Sequence, residues 1–132
     1  MTITEALEIQ RGAQARTETF DALLACSFTP LHLKTLLAGH LQSLTPGRRV
    51  VVREGIFGDL AGTIEQSSGC AALAVVIEWG DVDPRLRYRE GAAWGKSLQA
   101  DLIETAQMML GRVERAIAQI PAATAVAVSL PT

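Results

Sequence analysis

Five consecutive apolar residues, Leu73-Ala74-Val75-Val76-Ile77, constrain this chain more than any other stretch. A strand with one wet face alternates apolar and polar residues, and this run does not alternate. It therefore predicts a strand covered on both faces, the situation of a parallel sheet between two helical layers. The polarity then changes abruptly, to Glu78-Trp79-Gly80-Asp81-Val82-Asp83-Pro84-Arg85 and onward through Leu86-Arg87-Tyr88-Arg89-Glu90 to Trp94. Both tryptophans, the only tyrosine and seven charged residues fall between Glu78 and Trp94. Open α/β sheets bind ligands beyond the carboxyl ends of their strands. Leu73 to Trp94 is thus expected to be a scaffold strand followed by a binding loop.

The remaining segments fit the same plan. Phe20 to Cys26 reads as a first strand ending at Ser27, and Arg48 to Glu54 as a second, with Gly55, Phe57 and Gly58 in the turn after it. Ala72 to Glu78 is the third strand and Ala123 to Leu130 the fourth. Between the first two, Thr29 as cap and Pro30 in the first turn open a helix to about Ser43, which Pro46-Gly47 stops. Asp59 to about Gln66 fits a short helix. A long one, capped by Ser97, runs from Leu98 to about Gln119, with Leu98, Leu102, Ala106, Met109, Val113, Ile117 and Ile120 at helical spacing. Residues 1–19 form a loosely docked leader with a short helix from Thr4 to about Ala15, and residues 20–132 a single α/β domain. The β-α-β-α-β-α-β order predicts a three-layer α/β/α fold with a mostly parallel sheet of strand order 2-1-3-4, the flavodoxin-like arrangement.

Composition excludes several classes. With 132 residues, 48% of them hydrophobic and 20% charged, the chain suits one ordered domain. A net charge of -2 gives no basic surface for nucleic acid. No apolar run approaches the roughly 18 residues of a membrane span. The N-terminus lacks the features of a signal peptide, so a cytoplasmic location is expected. Cys26 and Cys70 lie in or beside apolar runs without metal-ligand spacing, as buried reduced thiols do. There is no GxGxxG, Walker A or HExxH sequence and no acidic pair at the first strand, so neither a cofactor nor a metal is expected.

Ends of parallel strands share one edge, which gathers Ser27, Arg53, Glu54 and the segment Glu78 to Asp83. Ser27, at a strand-to-helix turn, stands where a nucleophile would need to be; the alternative is that its hydroxyl satisfies backbone groups of the turn. A base is harder to find. His32 and His40 both fall on the first long helix, and Glu78, Asp81 and Asp83 are the carboxylates at hand. Asp81-Val82-Asp83 could share a hard cation, but Asp83-Pro84 is a turn starter and Asp83 pairs readily with a nearby arginine. In an extended segment Arg85, Arg87 and Arg89 would share one side and, with Arg53, receive a phosphate or an acidic partner; otherwise they are a solvated, compensated charge run. Trp79 and Trp94 bracket the loop and are expected to pin it to the body.

Three places carry a family resemblance: Ala25-Cys26-Ser27-Phe28-Thr29 with the leucine-rich helix after it, Glu78 to Arg89 with Trp94, and Val128-Ser129-Leu130-Pro131-Thr132. Over residues 21 to 132 the chain resembles the N-terminal domain of FkbH-like proteins, the glyceryl-carrier-protein synthases of polyketide pathways. The resemblance implies an SGNH-hydrolase-like domain, followed in those proteins by a haloacid-dehalogenase-like domain that carries the phosphoglyceryl chemistry and loads an acyl carrier protein. That second domain has no counterpart in this sequence. Ser27 matches the nucleophile's place, without the Gly-Asp that would precede it; Gly55 or Gly58 stands for the second-block glycine. Glu78-Trp79-Gly80-Asp81 occupies the third block without its asparagine, and the late Asp-x-x-His block is missing. The expected function is a binding or accessory domain in acyl or glyceryl transfer to a carrier protein, with Ser27, Arg53, Glu78, Trp79, Asp81, Asp83, Arg85, Arg87, Arg89 and Trp94 at its working edge. An ester or thioester hydrolase using Ser27, and a stand-alone interaction domain, are the alternatives.

Overall fold

The computed structural model describes residues 1–87 and 96–131. Four strands, β1 (Thr19–Cys26), β2 (Arg49–Glu54), β3 (Ala72–Val76) and β4 (Ala125–Ser129), form one sheet. All its pairings are parallel and its order is β2-β1-β3-β4, as expected. Alternate residues of β1 point to opposite faces and build two cores. Ala22, Leu24 and Cys26 meet Val50 and Val52 of β2 beneath Ala38 of helix α2 (Leu31–Leu44). Leu23 and Ala25 join Leu73, Val75 and Ile77 beneath Leu60 and Ile64 of α3 (Leu60–Glu65) and Val113 and Ala116 of α5 (Lys96–Ala118). The protein is therefore a three-layer α/β/α fold.

The third strand departs from the expectation of two covered faces. Leu73 and Val75 are buried under the α5 layer, whereas Ala72, Ala74 and Val76 are only half-buried. On that face α2 packs chiefly over β2, and Ala72, Ala74 and Val76 lie at the margin of the core it covers. β3 also ends at Val76 rather than Glu78, because Glu78 caps a short helix α4 (Trp79–Val82), followed by a 3₁₀ turn over Pro84–Arg87. Neither was expected in what read as an open loop.

Two predicted caps fall elsewhere. Pro30, not Thr29, occupies the cap of α2, and no side chain caps it. Ser97 lies inside α5 rather than before it. The N-terminal segment is helical over Ile3–Gly12 (α1), with Thr2 and Glu5 bonding each other's backbone N–H groups. It is not loosely docked. Ala6 is fully buried against Gly39 of α2, where an added Cβ would meet the Ala6 Cβ at 2.6 Å. Gln10 Nε2 also donates to the Thr35 carbonyl at 3.1 Å. Small residues on both helices permit this approach.

Candidate functional site

Parallel pairing sets Cys26 opposite Val76, so the residues that follow, Ser27 and Ile77, leave the sheet side by side. Ser27 ends up only 5% exposed. Its Oγ has no hydrogen-bond partner among the described residues, so it does not serve the turn's backbone. A hydroxyl in that state is uncommon, since buried polar groups nearly always find partners.

Ser27 lines a cavity of about 400 Å³, within the roughly 300–1,000 Å³ usual for small-molecule sites, with its Oγ itself sealed from solvent just behind the wall. Each wall comes from a different element. The β2–α3 turn contributes Gly58, whose φ of +76° suits glycine, and α3 contributes Leu60. Gly80, Asp81 and Val82 of α4 form a second wall, with Pro84 after them. Thr105 and Met109 of α5 close the third. Gly55, the other glycine considered, is not on the cavity. It packs against Thr63, whose Cγ2 would lie 2.0 Å from an added Cβ.

Asp81 is held in position from behind: its Oδ2 accepts the Glu78 backbone N–H at 2.8 Å. Glu78 itself is exposed at the start of α4, beside Trp79, which is 46% exposed. Asp83, by contrast, is 1% exposed and points away into a bonded cluster. Its carboxylate accepts the Arg85 backbone N–H and Nε, each at 2.8 Å, and Nη2 at 2.6 Å. Arg85 Nη1 bonds Asp101 on α5. The hydrogen bonds from the Arg85 side chain hold the Asp83 carboxyl below the usual aspartate range against the opposing effect of burial. The same bonds, to Asp83 first and Asp101 second, hold the guanidinium proton more firmly than in a free arginine. This cluster ties the post-β3 segment to α5.

Arg85 and Arg87 thus do not lie in an extended segment. Arg85 sits in a 3₁₀ turn with its side-chain donors directed at Asp83 and Asp101, and Arg87 closes that turn. Arg53 is exposed and lines a separate cleft of about 190 Å³ with Glu54, Gly55 and Gln66. Arg89 and Trp94 lie outside the described residues.

Cys26 directly precedes Ser27, and its thiol donates to the Phe28 carbonyl at 3.4 Å. Burial pushes this thiol up in pKa, with further contributions from the charges of Glu54, Asp81 and Glu78. It is therefore a poor thiolate source, and the edge around it carries a negative field. His32 and His40 are exposed on α2 and neither lines the Ser27 cavity. Among the described residues no three His, Cys, Asp or Glu side chains are grouped to hold a metal, and no helix is long and apolar enough to cross a membrane.

Gly80 and Val82 fall inside the edge segment expected from the sequence, but sequence reasoning missed Leu60, Thr105 and Met109 as parts of the site. Met109 was visible only as one position in a helical stripe, and no local signal says how α5 crosses the sheet edge. No protein-family model, curated protein or solved structure matches the chain.

Proposed function

We propose that the chain is a ligand-binding accessory domain in carrier-protein-linked biosynthesis, of the FkbH-like kind, and that the Ser27 cavity receives the acyl or glyceryl group being handled. One observation carries this reading: a serine 5% exposed, its hydroxyl without a partner among the described residues, on the wall of a cavity at the strand-end crevice between β1 and β3. Leaving a buried polar group unpaired costs about 1–3 kcal/mol. A ligand whose entry opens Ser27 Oγ to it, and which bonds that oxygen, recovers that cost on binding. An acyl carrier protein and a haloacid-dehalogenase-like domain or subunit are the partners that the reading implies.

The hydrolase alternative uses the same serine. Its support is Asp81, the one carboxylate on the cavity wall among the described residues. Against it, no group among the described residues accepts a hydrogen bond from Ser27 Oγ, so none of them is a base in contact with the hydroxyl. Acyl-pantetheine thioesters and aryl esters separate the two readings. Under the binding reading, wild type titrates with the acyl thioester, Ser27→Ala weakens that binding, and both proteins hydrolyse the probes at the same background rate. Hydrolysis that exceeds background in wild type and vanishes in Ser27→Ala would replace the binding reading with the hydrolase. Absence of any thioester binding removes it.

A further inference from the structure

The lining of the Ser27 cavity is chemically asymmetric. Leu60, Val82, Pro84 and Met109 present apolar surface, while Ser27, Asp81 and Thr105 are polar, the Thr105 hydroxyl donating to the Asp101 carbonyl at 2.9 Å. An aspartate carboxylate only accepts hydrogen bonds, and the serine oxygen can accept as well as donate. One Asp81 oxygen takes the Glu78 N–H. A carboxylate offers about four lone-pair sites, so acceptor capacity remains for a donor arriving through the cavity. The arginine nearest in the chain, Arg85, has its side-chain donors on Asp83 and Asp101. Glu54 and Glu78 add their charge to that of Asp81 at the adjacent Cys26.

We propose that the acyl group received by this cavity carries a primary ammonium at its far end, the ammonium held by Asp81 and the aliphatic body against Leu60, Val82, Pro84 and Met109. The inference rests on the reading of this cavity as a ligand site and specifies what it takes. Opposite charges a few ångströms apart attract strongly where water is partly excluded. A carboxylate or phosphate head in the same place meets repulsion from Asp81. The site therefore ranks ligands of equal chain length as ammonium first, alcohol second and carboxylate last.

Octylamine, octanol and octanoate, titrated calorimetrically at pH 7 and low salt, test that ranking. Octylamine is expected to bind about tenfold or more tightly than octanoate, with octanol between them. In Asp81→Asn the three affinities should fall within about threefold of one another. The asparagine side-chain oxygen keeps an acceptor for the Glu78 N–H, so this variant retains the α4 cap, and its thermal melt checks that it is folded. Without any substitution, adding salt should weaken octylamine more than octanol in wild type. Octanoate binding as tightly as octylamine, or a ranking unchanged in Asp81→Asn, would overturn the ammonium assignment. If all three bind alike and all weaken in Ser27→Ala, the ligand site stands and only its charge preference is wrong. No binding by any of them defeats both readings.

Discussion

Ser27 and Asp83 are both buried polar side chains at the carboxyl edge of the sheet, 5% and 1% exposed, and they have opposite fates. Asp83 is saturated: three donors of Arg85 converge on it, and Arg85 carries the connection on to Asp101. Ser27 has no protein partner among the described residues and lies on the wall of a cavity. A saturated buried group holds the chain in place, whereas an unsaturated one beside a cavity has capacity left for something else. Judged by residue type alone, the aspartate invites a functional reading more strongly than the serine. Bonding reverses that order.

The largest effect should come from breaking the saturated member. Asp83→Ala removes charge-assisted bonds from a buried carboxylate and is expected to cost about 2 kcal/mol in urea unfolding. A loss below about 0.5 kcal/mol would mean that the cluster is ornamental and the contrast with Ser27 false. Asp101→Ala, which touches only the exposed end of the cluster, should cost less.

The same contrast has a pH signature of intermediate size. The folded-state carboxyl of Asp83 titrates below its unfolded value, so its stabilisation is fully present above the ordinary aspartate pKa, near 3.9, and is lost as pH falls through the depressed folded value. The stability gap between wild type and Asp83→Asn should therefore be constant from neutral pH down to about pH 5 and close below that. A gap that widens in acid would give the shift the opposite sign.

Ser27→Ala should have the smallest effect, in the opposite direction. Deleting an unpartnered buried hydroxyl is expected to leave stability unchanged or raise it by up to about 1 kcal/mol. A clear destabilisation in the same urea series would show that Oγ is bonded after all and would remove the basis for the cavity reading.

The topology was legible because it depends on patterns that survive without tertiary context: apolar runs, the stripe from Leu98 to Ile120, and punctuation by Pro46-Gly47 and Pro121. Strand order followed from connection rules. Ser27 was legible as a position, since a parallel sheet brings strand ends together, but its unpartnered state depends on side-chain packing. Pairing of Asp83 with a nearby arginine was also readable, because the two lie in one turn. The docking of α1 was not, since it depends on Ala6 meeting Gly39 across 33 positions of chain. α4 was hidden by Gly80 and by its short length, although Asp81 three residues after Glu78 is a spacing that can close a first turn. The contribution of α5 to the cavity wall required the crossing geometry itself.

β4 has a consequence for handling the protein. Among the described residues this strand is bonded on one side only, to β3, and it is exposed from Ala125 to Ser129. Its outer row of N–H and C=O groups is a template for another strand, and natural sheets usually guard such rows with lysine, proline or a bulge. Ala125-Val126-Ala127-Val128-Ser129 contains no such guard, and the last charged residue before it is Arg115. A short, uncharged, β-prone segment on an open rim is the signature of strand-on-strand aggregation. Wherever that rim is left uncovered, it is the part of the sheet most open to pairing with another strand.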